Sequence, residues 1–192
     1  MKDKQERSIA PQTAAKPRVG ISSCLLGEKV RFDGGNKWHR IIVQIIGPQV
    51  EWVPVCPEVE VGMGTPRERV NLVGLPESPA MLATGTGKNW SEEMNTFSRH
   101  KIQTMKTLQL DGFIFKKSSP SCGLKNVKVF KDSSLVQWVP FGIGLYARQF
   151  LLEFPDLPVA DEGELSTKQE AFGFLEKVKR HHRLYPEGLG ED

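Results

Sequence analysis

The sequence predicts an α/β fold, a single three-layer domain with a mainly parallel sheet flanked by helices. Three observations lead there. Short β-rich apolar runs alternate with stretches of helical periodicity. The chain has 192 residues, close to one ordinary domain, and 39% of them are hydrophobic against 26% charged, far from the composition of a disordered chain.

Residues 1–17 mix charges of both signs with two prolines and lack the apolar segment of a secretory signal. They are expected to be a flexible tail on a cytoplasmic protein, followed by a folded domain over 18–184 and a second flexible tail over 185–192. Residues 19–23 read as a strand that runs into Cys24 and the loop LLGEKVRFDGG. Residues 36–46 place Trp38, Ile41, Ile42, Ile45 and Ile46 at helical spacing, and Gly47-Pro48 is expected to stop that helix. Residues 51–55 form a second strand ending at Cys56, before a loop with two glycines and two prolines.

Short strands are expected over 70–73 and 81–84. Asn89 with Glu92 suggests a capping box for a helix striped by Trp90, Met94, Phe97, Lys101, Met105 and Leu108. Residues 112–116 are a third β-rich run, leading into KSSPSCG and Cys122. Residues 141–154 are apolar at helical spacing up to Pro155, with Gly142-Ile143-Gly144 as the helix start, and Ser166 with Gln169 is expected to cap a last helix ending near Arg183.

Lys+Arg 26 against Asp+Glu 23 leaves a net charge of +3, which permits a polyanionic partner without requiring one. No DNA partner is expected. No apolar run approaches the roughly 18–20 residues a bilayer needs, so no membrane partner is expected either. ATGTGKNW (83–90) fails the phosphate-loop pattern, because Leu82 and Asn89 stand where glycine and Ser or Thr are required. His181 and His182, among Lys177, Lys179, Arg180 and Arg183, read as the solvated basic end of a helix, able to touch RNA phosphates.

The three cysteines carry the chemistry. No Cys-x-x-Cys pair occurs, and a disulfide framework is not expected in a reducing compartment. Each cysteine follows the carboxyl end of an expected strand, where ligands of open parallel sheets bind. Separations of 32 residues (24 to 56) and 66 residues (56 to 122) exclude a zinc finger or ribbon but suit three loops at one rim. A lone cysteine after a strand is most often a small buried hydrophobe. Three in the same topological position, in the loops SSCLLG, PVCPE and SPSCG, point instead to joint metal or cluster ligation. Three thiolates with no evident fourth suit either an iron–sulfur cluster with one iron open or a Cys-ligated catalytic zinc.

ISSCLLGEKVRFDGG (21–35), VPVCPEVEVGMGTPRE (53–68) and FKKSSPSCG (115–123) resemble the thiouracil desulfurase-like family, and the resemblance extends over about residues 19–183. It implies that Cys24, Cys56 and Cys122 hold a 4Fe-4S cluster at the C-terminal ends of the strands, with one iron lacking a protein ligand. That iron would accept the sulfur of a thiolated pyrimidine, either 2-thiouracil or 4-thiouridine in tRNA, and the sulfur would leave as sulfide. Glu58, two residues after Cys56, is the carboxylate placed to activate water. Ser118 and Ser119 are candidate catalytic hydroxyls, and Ser121 and Asp33 are candidate substrate contacts. Arg67 is read either as a phosphate contact or as a partner of Glu68. Asn36 stands where related sequences carry His. A zinc-dependent hydrolase with three Cys ligands and a non-catalytic module binding thiolated RNA remain as other readings.

Overall fold

The computed structural model describes residues 15–185. The two expected tails lie outside these residues, apart from 15–17 and Tyr185. Eight strands are present among the described residues: β1 (Arg18–Ser22), β2 (Glu51–Val55), β3 (Val70–Val73), β4 (Ala80–Ala83), β5 (Gly112–Phe115), β6 (Val127–Phe130), β7 (Trp138–Gly142) and β8 (Val159–Asp161). The three longest helices are α1 (Ser91–Thr107), α2 (Leu145–Glu153) and α3 (Lys168–Leu184).

The strands form two sheets, which corrects the expectation of one. The first, in the order β2-β1-β5-β8, is wholly parallel, and the second, β4-β3-β6-β7, is mixed. Chain order explains the split. β3 and β4 are an antiparallel pair inserted between β2 and α1, and β6 and β7 are another between β5 and α2. Antiparallel pairs close through short turns, whereas parallel neighbours need a long crossover, so the two insertions pair with each other through β3 and β6.

Alternation along β5 sets the layers. Phe113 and Phe115 point to one side, into a core with Met94, Ile102 and Met105 of α1 and Tyr146 and Phe150 of α2. Ile114, with Val19 and Ile21 of β1, points to the other side, toward Ile42, Ile46, Phe174 and Val178. Val70, Leu72, Met81, Val127 and Val129 of the second sheet join the first core. At Gly112 a Cβ would sit 2.8 Å from Val178 Cγ2 and 3.1 Å from the Pro158 carbonyl, so α3 packs directly on β5.

Several boundaries differ from expectation for local reasons. The helix expected over 36–46 begins at Arg40, widens to a π turn over Ile42–Ile46 and tightens to a 3₁₀ turn over Gly47–Gln49, passing through Gly47-Pro48 instead of stopping there. Asn89 does not cap α1. Its Oδ1 accepts from the Ser91 N–H at 3.0 Å, while Ser91 Oγ accepts from Met81 N–H. The last helix uses the expected capping device one residue later: Thr167 Oγ1 accepts from Glu170 N–H, and Glu170 Oε2 accepts from Thr167 N–H. Phe141 and Gly142 complete β7, so α2 starts only after Gly144. No helix among the described residues is long and apolar enough to cross a membrane.

The histidines near the end of α3 are not solvated as expected. His181 Nδ1 and His182 Nδ1 lie 3.3 and 3.0 Å from the carboxylate of Asp111, which is 3% exposed and also accepts from the Arg18 N–H at 2.9 Å. Asp111 precedes β5, so this junction sits at the amino ends of the parallel strands. Asp111→Ala leaves a backbone donor and two imidazoles without their buried acceptor. It is expected to lower stability by about 3 kcal/mol, seen as a lower urea midpoint with an unchanged slope. An unchanged midpoint would show that the junction contributes nothing.

Candidate active site

β2, β1 and β5 lie side by side and parallel, so the loops leaving their carboxyl ends share one rim. Cys24 sits in the turn after β1, Cys56 directly follows β2, and Cys122 closes the longer loop after β5. All three line one cavity of about 430 Å³, and all three are free thiols. The sequence expectation that strand ends bring the cysteines together is met by this geometry.

Each thiol is held by its loop. The Cys24 carbonyl accepts from the N–H groups of Gly27 and Lys37, which folds the 27–37 loop back over the cavity. The Cys56 N–H donates to Glu60 Oε1 at 3.0 Å. The Cys122 N–H donates to Ser119 Oγ at 3.1 Å. α2 abuts this last loop. Leu145 N–H and Ala147 N–H donate to the carbonyls of Pro120 and Ser121, and a Cβ on Gly144 would lie 2.4 Å from the Ser121 carbonyl. Only glycine allows that approach.

Burial pushes the Cys24 thiol up to about 11, opposed in part by the nearby Lys116 ammonium. Burial also raises Cys56, against the Val59 N–H, and raises Cys122 strongly, against a hydrogen bond from Ser22. The three thiols feel one another. Cys24 and Cys56 both disfavour a charge on Cys122.

The wall is otherwise basic, with Arg31, Lys37, Arg67, Arg69, Lys116 and Lys117 facing a single carboxylate, Glu58, among the described residues. Arg67 Nη2 and Nε donate to Glu58 Oε2 at 2.6 and 3.2 Å, and Arg67 Nη1 donates to the carbonyls of Val30 and Gly64. The pair is 6% and 15% exposed and ties the first two cysteine loops together. Arg67 therefore partners Glu58 and not Glu68, the ion-pair half of the two readings the sequence left open. Glu68 instead accepts from the Gly85 and Thr86 N–H groups and the Thr86 hydroxyl.

The other Glu58 oxygen faces the serines. Oε1 accepts from Ser121 Oγ at 2.7 Å and, loosely, from Ser119 Oγ at 3.5 Å. Glu58 thus already has four donors for its four acceptor directions, and Ser119 is the weakest of them. Ser118 also lines the cavity, with a left-handed φ of 58°. Ser121 is fully buried behind the wall and reaches the site through Glu58.

Asp33, expected as a substrate contact, is not in the wall. Its Oδ1 accepts from Gly35 N–H at 3.0 Å and pairs with Arg31, and the Gly35 amide holds the carboxyl below its ordinary range. Asn36 accepts from Trp38 N–H in a similar turn. Sequence reasoning missed Phe32, Arg69 and Asn71. The Arg69 guanidinium lies 4.4 Å over the Phe32 ring in the cavity wall. No motif marks these residues; the one local signal is an asparagine inside a strand.

No three His, Cys, Asp or Glu side chains among the described residues are gathered closely enough to hold a single metal ion. A tetrahedral zinc would require its sulfurs about 3.8 Å apart, given Zn–S bonds of about 2.3 Å.

A sequence profile of the family described as 2-thiouracil desulfurase matches residues 19–162. Among curated proteins, the uncharacterized protein YbbK of Bacillus subtilis (strain 168) is 28% identical over 108 residues, 54% of this chain and 71% of its own length. Among solved structures, the 4Fe-4S-dependent thiouracil desulfidase TudS is similar in fold. Its TM-score is 0.59 at 22% identity, over 82% of this chain and 99% of that one.

Proposed function

The chain belongs to the 2-thiouracil desulfurase family, and from that premise we propose that it replaces the sulfur of a small thiolated pyrimidine with oxygen, releasing sulfide. Cys24, Cys56 and Cys122 would hold a 4Fe-4S cluster, leaving one iron without a protein ligand. The observation that carries this reading is the convergence of three thiols, from loops far apart in sequence, on one cavity.

The residues present suit such a group. Three buried thiols supply soft ligands, and the basic wall suits a cluster whose thiolates outweigh its core charge. A cluster held by Cys24, Cys56 and Cys122 would supply a soft Lewis acid suited to a thiocarbonyl sulfur and able to polarise its carbon–sulfur bond.

The chain's own groups handle water and protons. In the net reaction the oxygen of water bonds to the carbon, and the carbon–sulfur bonding electrons leave with sulfide. No oxidant or reductant is consumed. A water that donates to Ser119 Oγ in place of the Ser121 N–H passes its proton to that oxygen as the Ser119 hydroxyl passes its own to Glu58 Oε1. Arg67 keeps the carboxylate in place during this exchange. Ser121 fixes the second lone pair of Oε1, so the proton has one route in.

A free base is the proposed substrate in preference to thiouridine in tRNA. Lys177, Arg180 and Arg183, exposed cations in the C-terminal half of α3, lie toward the end of the domain where α3 meets Asp111, opposite the cysteine rim. Turnover of 2-thiouracil in ¹⁸O-water is expected to give equal amounts of sulfide and uracil, with the label in the new carbonyl. Unlabelled uracil would overturn the hydrolytic reading, and faster turnover of thiolated tRNA than of the free base would overturn the substrate choice.

A further inference from the structure

Asn71 lies in β3 between Val70 and Leu72, both buried in the main core. Its own side chain belongs to the wall of the cysteine cavity. Among the described residues its carboxamide has no hydrogen-bond partner. Asparagine is a poor strand former, and its half-buried carboxamide is left to be satisfied by water or a ligand in the cavity. A residue that breaks local preference inside a reactive cavity is expected to serve the ligand.

The chemistry of the carboxamide narrows that ligand. It is the one side chain of the wall that offers an acceptor and donors side by side; the rest are hydroxyls, thiols, cations, a carboxylate and apolar groups. A thiolated uracil presents the complementary pair next to its sulfur. In 2-thiouracil the sulfur-bearing carbon is followed by N3–H and then the C4 carbonyl. In 4-thiouracil it is followed by N3–H and then the C2 carbonyl. The two isomers therefore present the same edge.

Resting on the desulfurase reading above, we propose that Asn71 reads this edge, its Oδ1 accepting from N3–H and its Nδ2 donating to the remaining carbonyl. This fixes the ring with its sulfur toward the cysteine rim and makes the site indifferent to whether sulfur is at position 2 or 4. It also makes the site intolerant of a substituent on N3. The four donors on Glu58 come from Arg67, Ser119 and Ser121 and none from Asn71, so Asn71 determines binding and specificity and takes no part in proton transfer.

Asn71→Leu keeps the size of the side chain and removes both polar atoms. The cluster-loaded variant is expected to show a KM for 2-thiouracil at least about tenfold higher, with kcat within about threefold, as the loss of two neutral hydrogen bonds implies. Wild-type protein should turn over 3-methyl-2-thiouracil at least about tenfold less efficiently than 2-thiouracil, and the variant should lose that preference. Equilibrium dialysis with labelled uracil, which keeps the same edge but no sulfur, should show the same weakening without any turnover. Iron content and melting temperature are expected to match the wild type.

Should leucine destabilise β3, Asn71→Asp keeps the shape and the acceptor but loses the donor, and the same rise in KM is expected. An unchanged KM and unchanged uracil affinity in a folded, iron-loaded variant would overturn the role of Asn71 while leaving the function intact. Loaded wild-type protein that binds uracil but releases no sulfide from either thiouracil would overturn the desulfurase reading instead.

Discussion

Cys24→Ala, Cys56→Ala and Cys122→Ala should each remove bound iron and desulfurase turnover together, by at least about a hundredfold in rate. Two thiolates hold a cubane poorly, and the one carboxylate of the wall among the described residues, Glu58, is already held by Arg67, Ser121 and Ser119. The competing account of these residues is packing. Cys24 and Cys122 are 8% and 6% exposed and belong to the two hydrophobic cores, so each also fills space. Packing alone would cost each variant roughly 1 kcal/mol and leave metal content untouched. Iron analysis with urea unfolding on the same samples separates the two accounts. Full iron occupancy in any one variant removes that cysteine from the ligand set.

Glu58→Gln should keep the iron and lower kcat by about 10²- to 10⁴-fold, the range lost with a general base. The amide cannot take a proton, and it turns an NH₂ toward groups that are themselves donors, either the Arg67 guanidinium or the two serines. Part of any loss could therefore come from a displaced Arg67, which joins the first two cysteine loops. Ser119→Ala separates the two, because it removes the loose contact to Glu58 and leaves the ion pair intact, while iron content reports on the lost acceptor of the Cys122 N–H. A comparable fall in kcat in Ser119→Ala, with iron retained, places the effect in proton transfer. Near-native turnover of Glu58→Gln would leave the carboxylate only its role of holding Arg67.

The part of the site legible in the sequence is the part carried by local pattern. Val19, Ile21 and the run 112–115 announce strands by apolar β-rich composition, and each strand hands the chain to a Gly-, Ser- or Pro-rich loop bearing a cysteine. Once the strands are parallel neighbours, the cysteines must share a rim. Of the second sheet, β3 and β4 show in the sequence as short strands over 70–73 and 81–84, whereas β6 and β7, and β8 of the first sheet, do not, for equally local reasons. β7 is an edge strand with Pro140 inside it, and its Phe141 and Gly142 merge with the apolar run of α2. β8 is three residues long and gains its identity only by pairing with β5.

Long-range partnerships were also out of reach. Nothing near Arg67 in sequence distinguishes Glu58, nine residues back, from its neighbour Glu68. The choice is made by the turns that bring the 56–67 loop across Val30. His181 and His182 looked like a solvated helix end because Asp111 lies about 70 residues away and becomes their partner only when α3 docks on β5. Asn71 lies in β3, and Arg69 just before it, and the place of that strand beside the cysteine rim depends on the inserted hairpins finding each other.

The central claim is that three thiols hold an iron–sulfur cluster, and metal analysis of protein purified without oxygen tests it most directly. The account predicts a brown protein with about four iron atoms and four acid-labile sulfides per chain and no stoichiometric zinc. A colourless protein carrying one zinc per chain, with sulfide release from 2-thiouracil undiminished by iron chelation, would contradict it.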